Sequence, residues 1–357
     1  MYRVSSALAP VVYLPGLVYE AIIRARNGLY ATGKLPQYRL PRPVISIGNI
    51  TLGGSGKTPL VICVAQMLEK LGHTPAVLTR GYGRTRAKET RIVAPGETVL
   101  NAAEALGDEP ALIQRHVSSA WLGVSKNRLK TGKEIAKRDP KVVFILDDGF
   151  QHRKLFRDLD IVIVDASQPV QSNRIFPRGT LREPVSGLHR CDMIVFHGSP
   201  KGVQPDTAGL MPQDLKPRVT IVHCKQTIQA LVPFTSWNHN PAASKAHGCT
   251  SKVPKSAYLV SAIGNPERFQ RDIRRMGIGG PGATFFPDHH ALRQKDWQKC
   301  VVKARRKGAD TIITTEKDAI KISEPPDFPL FIAVQRTEIP DTDAFEIILK
   351  NRLEESL

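Results

Sequence analysis

The sequence is poor in cysteine, in aromatic residues and in acid, and it has no long apolar run. Its five cysteines, at 63, 191, 224, 249 and 300, are odd in number and include no C-x-x-C pair. That spacing offers neither a disulfide frame nor a zinc site and fits a reducing cytosol. Aromatics make up 6% of the chain, and no basic stretch is interleaved with stacking residues, which argues against single-strand nucleic-acid binding. The longest uncharged stretch near the start, residues 4–19, is broken by Pro10, Pro15 and Gly16 and is followed by Glu20. It is too short and too interrupted to cross a bilayer, and Arg3 alone makes a poor signal-peptide n-region. No internal repeat is visible.

Acid is outnumbered by base, 33 residues to 51, and the formal net charge is +18. Such a charge calls for an anionic partner: nucleic acid, anionic lipid or a phosphorylated substrate. A length of 357 residues points to about two domains. Base is dense at the start, where Arg3, Arg24, Arg26, Lys34, Arg39 and Arg42 face only Glu20. Apolar residues beside such a cluster suggest an interfacial segment on an anionic membrane. A helix packed on the protein's own core fits the same pattern.

The strongest signal is Val-Ile-Ser-Ile-Gly-Asn-Ile-Thr-Leu-Gly-Gly-Ser-Gly-Lys-Thr at 44–58. A β-branched run is followed by a loop with Gly53, Gly54 and Gly56, then Lys57-Thr58 and an apolar periodic segment over 60–71. Strand, glycine loop and helix in that order make a phosphate cradle, because glycine lets backbone N–H groups close around oxygen. The helix start adds a positive dipole end. Lys57 reaches terminal phosphates and the Thr58 hydroxyl suits Mg²⁺. The match to G-x-x-x-x-G-K-[ST] is imperfect, since Thr51 stands at the first glycine.

Further along, residues 14–30 read as a helix with Pro15 in its first turn. Strands are predicted at 76–80, 120–124, 141–146, 159–164 and 193–196, with helices opening at Gly107-Asp108 and after Ser125-Lys126-Asn127-Arg128. This alternation predicts a P-loop NTPase-like, doubly wound parallel α/β sheet with ligands at the strand C-termini. Residues 219–224 and 227–232 read as a ribbon joining a second, smaller α/β domain. Residues 236–256 read as a surface insertion. The domains expected are 1–215, 216–335 and a terminal helix in 336–357.

Asp147-Asp148 ends the most apolar strand, a Walker B arrangement in which one acid holds Mg²⁺ and the other orients water or Lys57. His152 lies in the loop that follows. Asp108 reads either as a helix N-cap or as a base for a substrate hydroxyl. In Asp288-His289-His290 a histidine held by a carboxylate is a good general base, whereas adjacent histidines chelate one ion poorly. Arg128, Arg178, Arg182 and Glu183 lie in polar stretches, and arginines near a phosphate loop clamp anionic oxygens. Surface solvation is the alternative, more so for Arg178.

Together, residues 46–59, Thr-Arg-Gly-Tyr-Gly-Arg at 79–84, Gly-Asp-Glu-Pro at 107–110, Leu-Asp-Asp-Gly-Phe-Gln-His-Arg at 146–153, Pro-Arg-Gly-Thr-Leu-Arg-Glu-Pro at 177–184 and Phe-Pro-Asp-His-His at 286–290 resemble the tetraacyldisaccharide 4′-kinase family. Thr51 is within that family's pattern, whereas 236–256 look inserted. The resemblance implies transfer of the ATP γ-phosphate to the 4′-hydroxyl of a tetraacylated glucosamine disaccharide 1-phosphate, in lipid A biosynthesis. It also implies a peripheral enzyme on the cytoplasmic face of the bacterial inner membrane. Carried over residue by residue, Thr51, Leu52, Gly53, Gly54, Ser55, Gly56, Lys57 and Thr58 cradle ATP. Thr58, Asp147, Asp148 and Glu183 surround Mg²⁺. Asp108 with His289 serves as the base pair for the hydroxyl, and Lys57 and Asp148 complete the catalytic set. Tyr82, Arg128, His152, Arg182 and Asp288 line the substrate. The cradle and His289 fall in different domains, which predicts closure around ATP and lipid. A regulatory ATPase acting on a protein partner is the rival that the glycine loop alone would allow. A nucleic-acid module is a second rival, suggested only by charge.

Overall fold

The computed structural model describes residues 9–54, 56–85, 88–166, 170, 173–198, 215, 219–239, 254–288 and 290–355, with backbone alone at 9–12. Along them run α1 (Ala9–Ala31), β1 (Val44–Gly48), α2 (Lys57–Lys70), β2 (Thr74–Thr79), β3 (Arg91–Val93), α3 (Ala102–Leu106), α4 (Asp108–His116) and β4 (Trp121–Val124). Next come α5 (Arg128–Arg138), β5 (Val142–Asp147), β6 (Leu159–Asp165), a 3₁₀ turn (Val185–Arg190), β7 (Met193–His197) and β8 (Thr220–Pro233). The chain continues with α6 (Phe234–His239), β9 (Ser256–Ser261), α7 (Pro266–Arg275), β10 (Gly279–Phe285), α8 (Gln294–Arg306) and β11 (Thr311–Thr315). It closes with α9 (Glu316–Ala319), β12 (Leu330–Glu338) and α10 (Thr342–Glu354).

Two compact units form. One gathers Met1–Leu78, Asn127–Lys225 and Glu338–Leu357, and the other gathers Thr79–Lys126 and Gln226–Thr337. The division differs from a cut near residue 215. Residues 79–126 join the second unit because α4 packs on α9 far along the chain. Nor do residues 219–224 and 227–232 form two paired strands. Residues 220–233 make one continuous strand, since the intervening Lys225-Gln226 contains no turn former.

In the first unit the strand order is β8-β7-β6-β1-β5-β2, all pairs parallel. Every residue of β1 and β5 is buried, as strands covered on both faces must be. β1 lies between β5 and β6, and Ile47 pairs with Asp147. The loop after β1 and the acids ending β5 therefore emerge side by side, at the crevice where such sheets bind ligands. Ile50, Phe150, Val162, Ile194 and Phe196 pack together on this sheet.

Helix α1 begins earlier than expected, so Pro15 sits in its interior, where it forgoes a backbone hydrogen bond. One face docks on the first unit. The Tyr19 hydroxyl donates to the Arg182 carbonyl at 3.1 Å, and Arg26 donates to the Gln151 carbonyl at 3.1 Å. Arg178 is paired with Glu20 at 2.7 Å rather than solvated, and a Cβ on Gly16 would come within 2.8 Å of the Arg178 side chain. The other face leaves Leu14, Leu17, Val18, Ile22 and Leu29 exposed. Among the described residues no helix is long and apolar enough to cross a membrane.

In the second unit β10-β9-β11-β12-β8 are neighbours in that order. β9 pairs in parallel with β10 and β11, and β11 with β12. β3 and β4 pair antiparallel. One face buries Trp237, Tyr258, Trp297 and Ile332, and the other Leu259, Phe269, Ile273 and Ile313. The start of the expected insertion is thus structural: Phe234 to His239 is helical and Trp237 is buried. Residues 240–253 lie outside the described residues.

Candidate active site

The glycine loop is held open by the chain that flanks it. Arg182 N donates to the Ile50 carbonyl at 2.7 Å, and Leu52 N donates to the Thr180 carbonyl at 2.7 Å. Thr51 bridges to Leu181 in between. This short antiparallel rung explains why Thr51 replaces the glycine: it sits in a strand-like bridge that a β-branched residue suits. Gly56, at φ 77°, caps α2 in a left-handed conformation that glycine adopts freely. Lys57 and Thr58 then open α2. Leu52, Gly53 and Gly54 are exposed, and Ser55 lies outside the described residues.

Lys57 Nζ lies 3.3 Å from Asn49 Oδ1 and 3.5 Å from Asp148 Oδ1. Asn49 is itself fixed, because its Nδ2 donates to the Thr51 carbonyl at 2.7 Å. Asp148 follows β5 at φ 48°, a left-handed position uncommon for a non-glycine residue, though aspartate tolerates it better than most. Arg182 Nη1 meets both Asp148 oxygens, at 2.8 and 2.9 Å. Burial would push the Asp148 carboxyl up, but Lys57, Arg182 and Arg128 outweigh it and hold the group below the usual carboxylate range. Arg128 is fully buried and donates to the Asp147 carbonyl at 2.8 Å. It braces the acid turn from beneath.

Two glycines let this turn close. A Cβ on Gly48 would come within 2.5 Å of Phe150, and one on Gly149 within 2.5 Å of Ser46 Oγ. His152 N donates to the Gly149 carbonyl at 2.8 Å, so the histidine belongs to the same turn. Glu183 is buried and fully engaged. Its oxygens accept from Arg190 at 2.9 Å, Gln151 at 2.7 Å and Asn27 at 3.3 Å. Gln151 also donates to the Asn49 carbonyl at 2.8 Å. The first unit thus brings the glycine loop, Asp147, Asp148, Arg128, His152, Arg182 and Glu183 together. Asn49 and Gln151 were missed in the sequence. Their polar type at strand ends beside the glycine loop and the aspartate pair was the available signal.

The remaining predicted residues belong to the second unit. Asp108 opens α4 but does not cap it. Gly107 holds the cap position at φ 100°, where a Cβ would come within 2.7 Å of the Tyr82 carbonyl. Asp108 is buried, with Oδ1 accepting from Glu109 N at 3.0 Å. Tyr82 itself is exposed. Lys317, at the start of α9, reaches Glu109 Oε1 and Asp288 Oδ1, each at 3.4 Å. It joins the acidic start of α4 to the Asp288 turn, a contact with no counterpart among the sequence motifs. His289 lies outside the described residues. His290 stacks on Phe286 and lies 3.2 Å from Asp296.

Among the described residues no three His, Cys, Asp or Glu side chains gather into a metal cage. One or two carboxylates and a hydroxyl, with phosphates supplying the rest, are nonetheless the usual donors for Mg²⁺. Thr58 at the start of α2 and Asp147 and Asp148 at the end of β5 are residues of those types.

Known proteins are similar to this chain along most of its length. The chain is 34% identical over 337 residues to a tetraacyldisaccharide 4′-kinase of Desulfotalea psychrophila, covering 93% of each. It is 34% identical over 320 residues to one from Geobacter sulfurreducens, covering 88% of this chain and 85% of that one. A crystal structure of LpxK from Aquifex aeolicus in complex with ATP superposes with a TM-score of 0.73 at 27% identity, covering 98% of this chain and 99% of that one. The family model described as tetraacyldisaccharide-1-P 4′-kinase matches residues 6–354. With nearly its whole length matched, the chain belongs to the tetraacyldisaccharide-1-P 4′-kinase family.

Proposed function

We propose that the family's ATP-dependent phosphoryl transfer, to the 4′-hydroxyl of a tetraacylated glucosamine disaccharide 1-phosphate in lipid A biosynthesis, is divided here between two groups of side chains. The observation that carries the proposal is Asp148 paired with both Lys57 and Arg182, at the mouth of a glycine loop. In the first group, backbone N–H groups from Thr51 to Thr58 hold the phosphates, and Lys57 neutralises charge on the transferring group. Phosphoryl transfer leaves little covalent chemistry to the protein, so this placement carries most of the rate. Arg182 keeps Asp148 oriented, and Arg128 fixes the backbone on which both acids stand. Mg²⁺, when bound, adds neutralising charge on the phosphate oxygens. Thr58, Asp147 and Asp148 would hold it.

In the second group Asp108 and His289 act on the acceptor hydroxyl as base and charge partner, and Asp288 supports them. Tyr82 and His152 contact the acceptor. The exposed apolar stripe of α1 lies on the cytoplasmic face of the inner membrane, with Arg24, Lys34, Arg39 and Arg42 facing anionic headgroups. Glu183 serves as a hub tying α1 to the loop through Asn27 and Gln151.

Steady-state kinetics of single variants test this division. Lys57→Ala, Asp108→Ala and His289→Ala should each lose on the order of 10²-fold or more in kcat. Wild-type turnover in any one of them removes that residue from its role.

A further inference from the structure

The sequence Thr314-Thr315-Glu316-Lys317-Asp318 closes β11 and opens α9, and the phosphoryl-transfer scheme above leaves it unused. All three charged side chains are nonetheless engaged inside the second unit. Glu316 is buried and accepts from His116 Nε2 at 3.1 Å, Trp237 Nε1 at 3.1 Å and Gln335 N at 3.3 Å. Asp318 is fully buried. It accepts from Ala262 N at 3.0 Å and from Thr315 Oγ1 at 2.8 Å, and it pairs with Lys321 at 3.2 Å. Two buried, multiply bonded acids fix a helix of four residues that could not hold its own shape.

Lys317 projects from this fixed turn. Its ammonium lies 3.4 Å from Glu109 on α4 and 3.4 Å from Asp288 on the turn after β10. Burial would lower its pKa, but Glu109, Asp108 and Asp288 outweigh that and hold it above the ordinary lysine value. The cation thus stays charged among three acids. Helix α4 is gripped at both ends by adjacent residues of α9, with Lys317 at its acidic start and Glu316 at its terminal His116.

We propose that Lys317 is a positioning residue whose ammonium fixes the Asp108–Glu109 start of α4 and the Asp288 turn relative to one another. For its kinetic consequence the proposal rests on the reading of Asp108 and Asp288 as part of the base site. For its structural consequence it does not. A misplaced catalytic group can cost on the order of 10²-fold in rate. Lys317→Met therefore lowers kcat by about 10- to 100-fold and leaves KM for ATP within about twofold, because the glycine loop is untouched. Lys317→Arg keeps the charge and restores most of the rate.

The deciding experiment is hydrogen exchange in the full-length protein, read on the peptide covering residues 106–113, alongside kinetics of both variants. Exchange in Lys317→Met rises about tenfold at the start of α4 while β1 and β5 are unchanged, and Lys317→Arg stays near wild type. Unchanged exchange in Lys317→Met overturns the proposal, as does an equal rise across the whole second unit. If Lys317→Met does not fold, Glu109→Gln removes one partner and should show the same local rise at smaller size; no rise there overturns the proposal too. Asp108→Asn with wild-type turnover would instead defeat the base reading, and the exchange result would still decide the role of Lys317.

Discussion

Arg182 Nη1 lies 2.8 Å from one oxygen of Asp148 and 2.9 Å from the other. A single guanidinium nitrogen thus spans the whole carboxylate, on a residue whose backbone is anchored to Ile50 in the glycine loop. The loop and the acid are set by one segment.

Asp148 should make stability depend on pH in one direction. Its folded pKa is depressed, so between the folded and the ordinary value the unfolded chain binds more protons. The contribution is present above the ordinary carboxylate range and lost as pH falls through the folded value. Asp148→Asn keeps a side chain that tolerates positive φ and removes the charge. Thermal unfolding from pH 7 down to pH 3 should fall less steeply in this variant. An identical slope would mean that the Lys57 and Arg182 contacts do not hold in solution.

Glu183 should matter without any ligand. It is buried and accepts from Arg190, Gln151 and Asn27. Removing one member of a buried charge pair costs about 3–5 kcal/mol. Glu183→Ala should therefore lose stability on that scale in denaturant melts run without nucleotide or Mg²⁺. A loss seen only when Mg·ATP is present would instead favour direct metal contact.

The outer face of α1 should govern partition to membranes. Leu14, Val18 and Ile22 are each more than half exposed and lie on one stripe at i, i+4 and i+8. Replacing Val18 and Ile22 by glutamate should abolish sedimentation with anionic vesicles and leave turnover of a detergent-dispersed substrate within about threefold. Raising salt should weaken vesicle binding of the wild type. Binding unchanged in the double variant would put the contact elsewhere.

Arg128 tests how rigidly the acid turn is braced. It is fully buried and donates to the Asp147 carbonyl. Lysine cannot reproduce the planar guanidinium fork. Arg128→Lys should lower kcat on the order of 10-fold or more while the chain remains folded, checked by kinetics beside circular dichroism. Normal turnover would mean that the backbone there is held by other contacts.

The first unit was legible where physics is local. A fully buried parallel strand must be apolar along its length, so β1 and β5 stood out, and the groups at their ends followed from the sheet rule. What escaped depends on distant partners. Glu316, Lys317 and Asp318 stand in no sequence motif, and their partners His116, Glu109, Asp288 and Ala262 lie far from them along the chain. Residues 79–126 looked continuous with the first unit because their neighbours lie far along the chain. The cap alternative for Asp108 fails because Gly107 takes that position through its positive φ. Lys225-Gln226 looked like a break between strands, although a strand tolerates polar residues on an open face.

The most direct test is transfer itself. Purified protein is incubated with Mg·ATP labelled in its γ-phosphate and with tetraacyldisaccharide 1-phosphate in detergent micelles, and the lipid is analysed by mass. The expected product is one phosphoryl group heavier, carries the label at the 4′ position, and is absent with Lys57→Ala. Label released only as inorganic phosphate, or lipid recovered unchanged, would contradict the account.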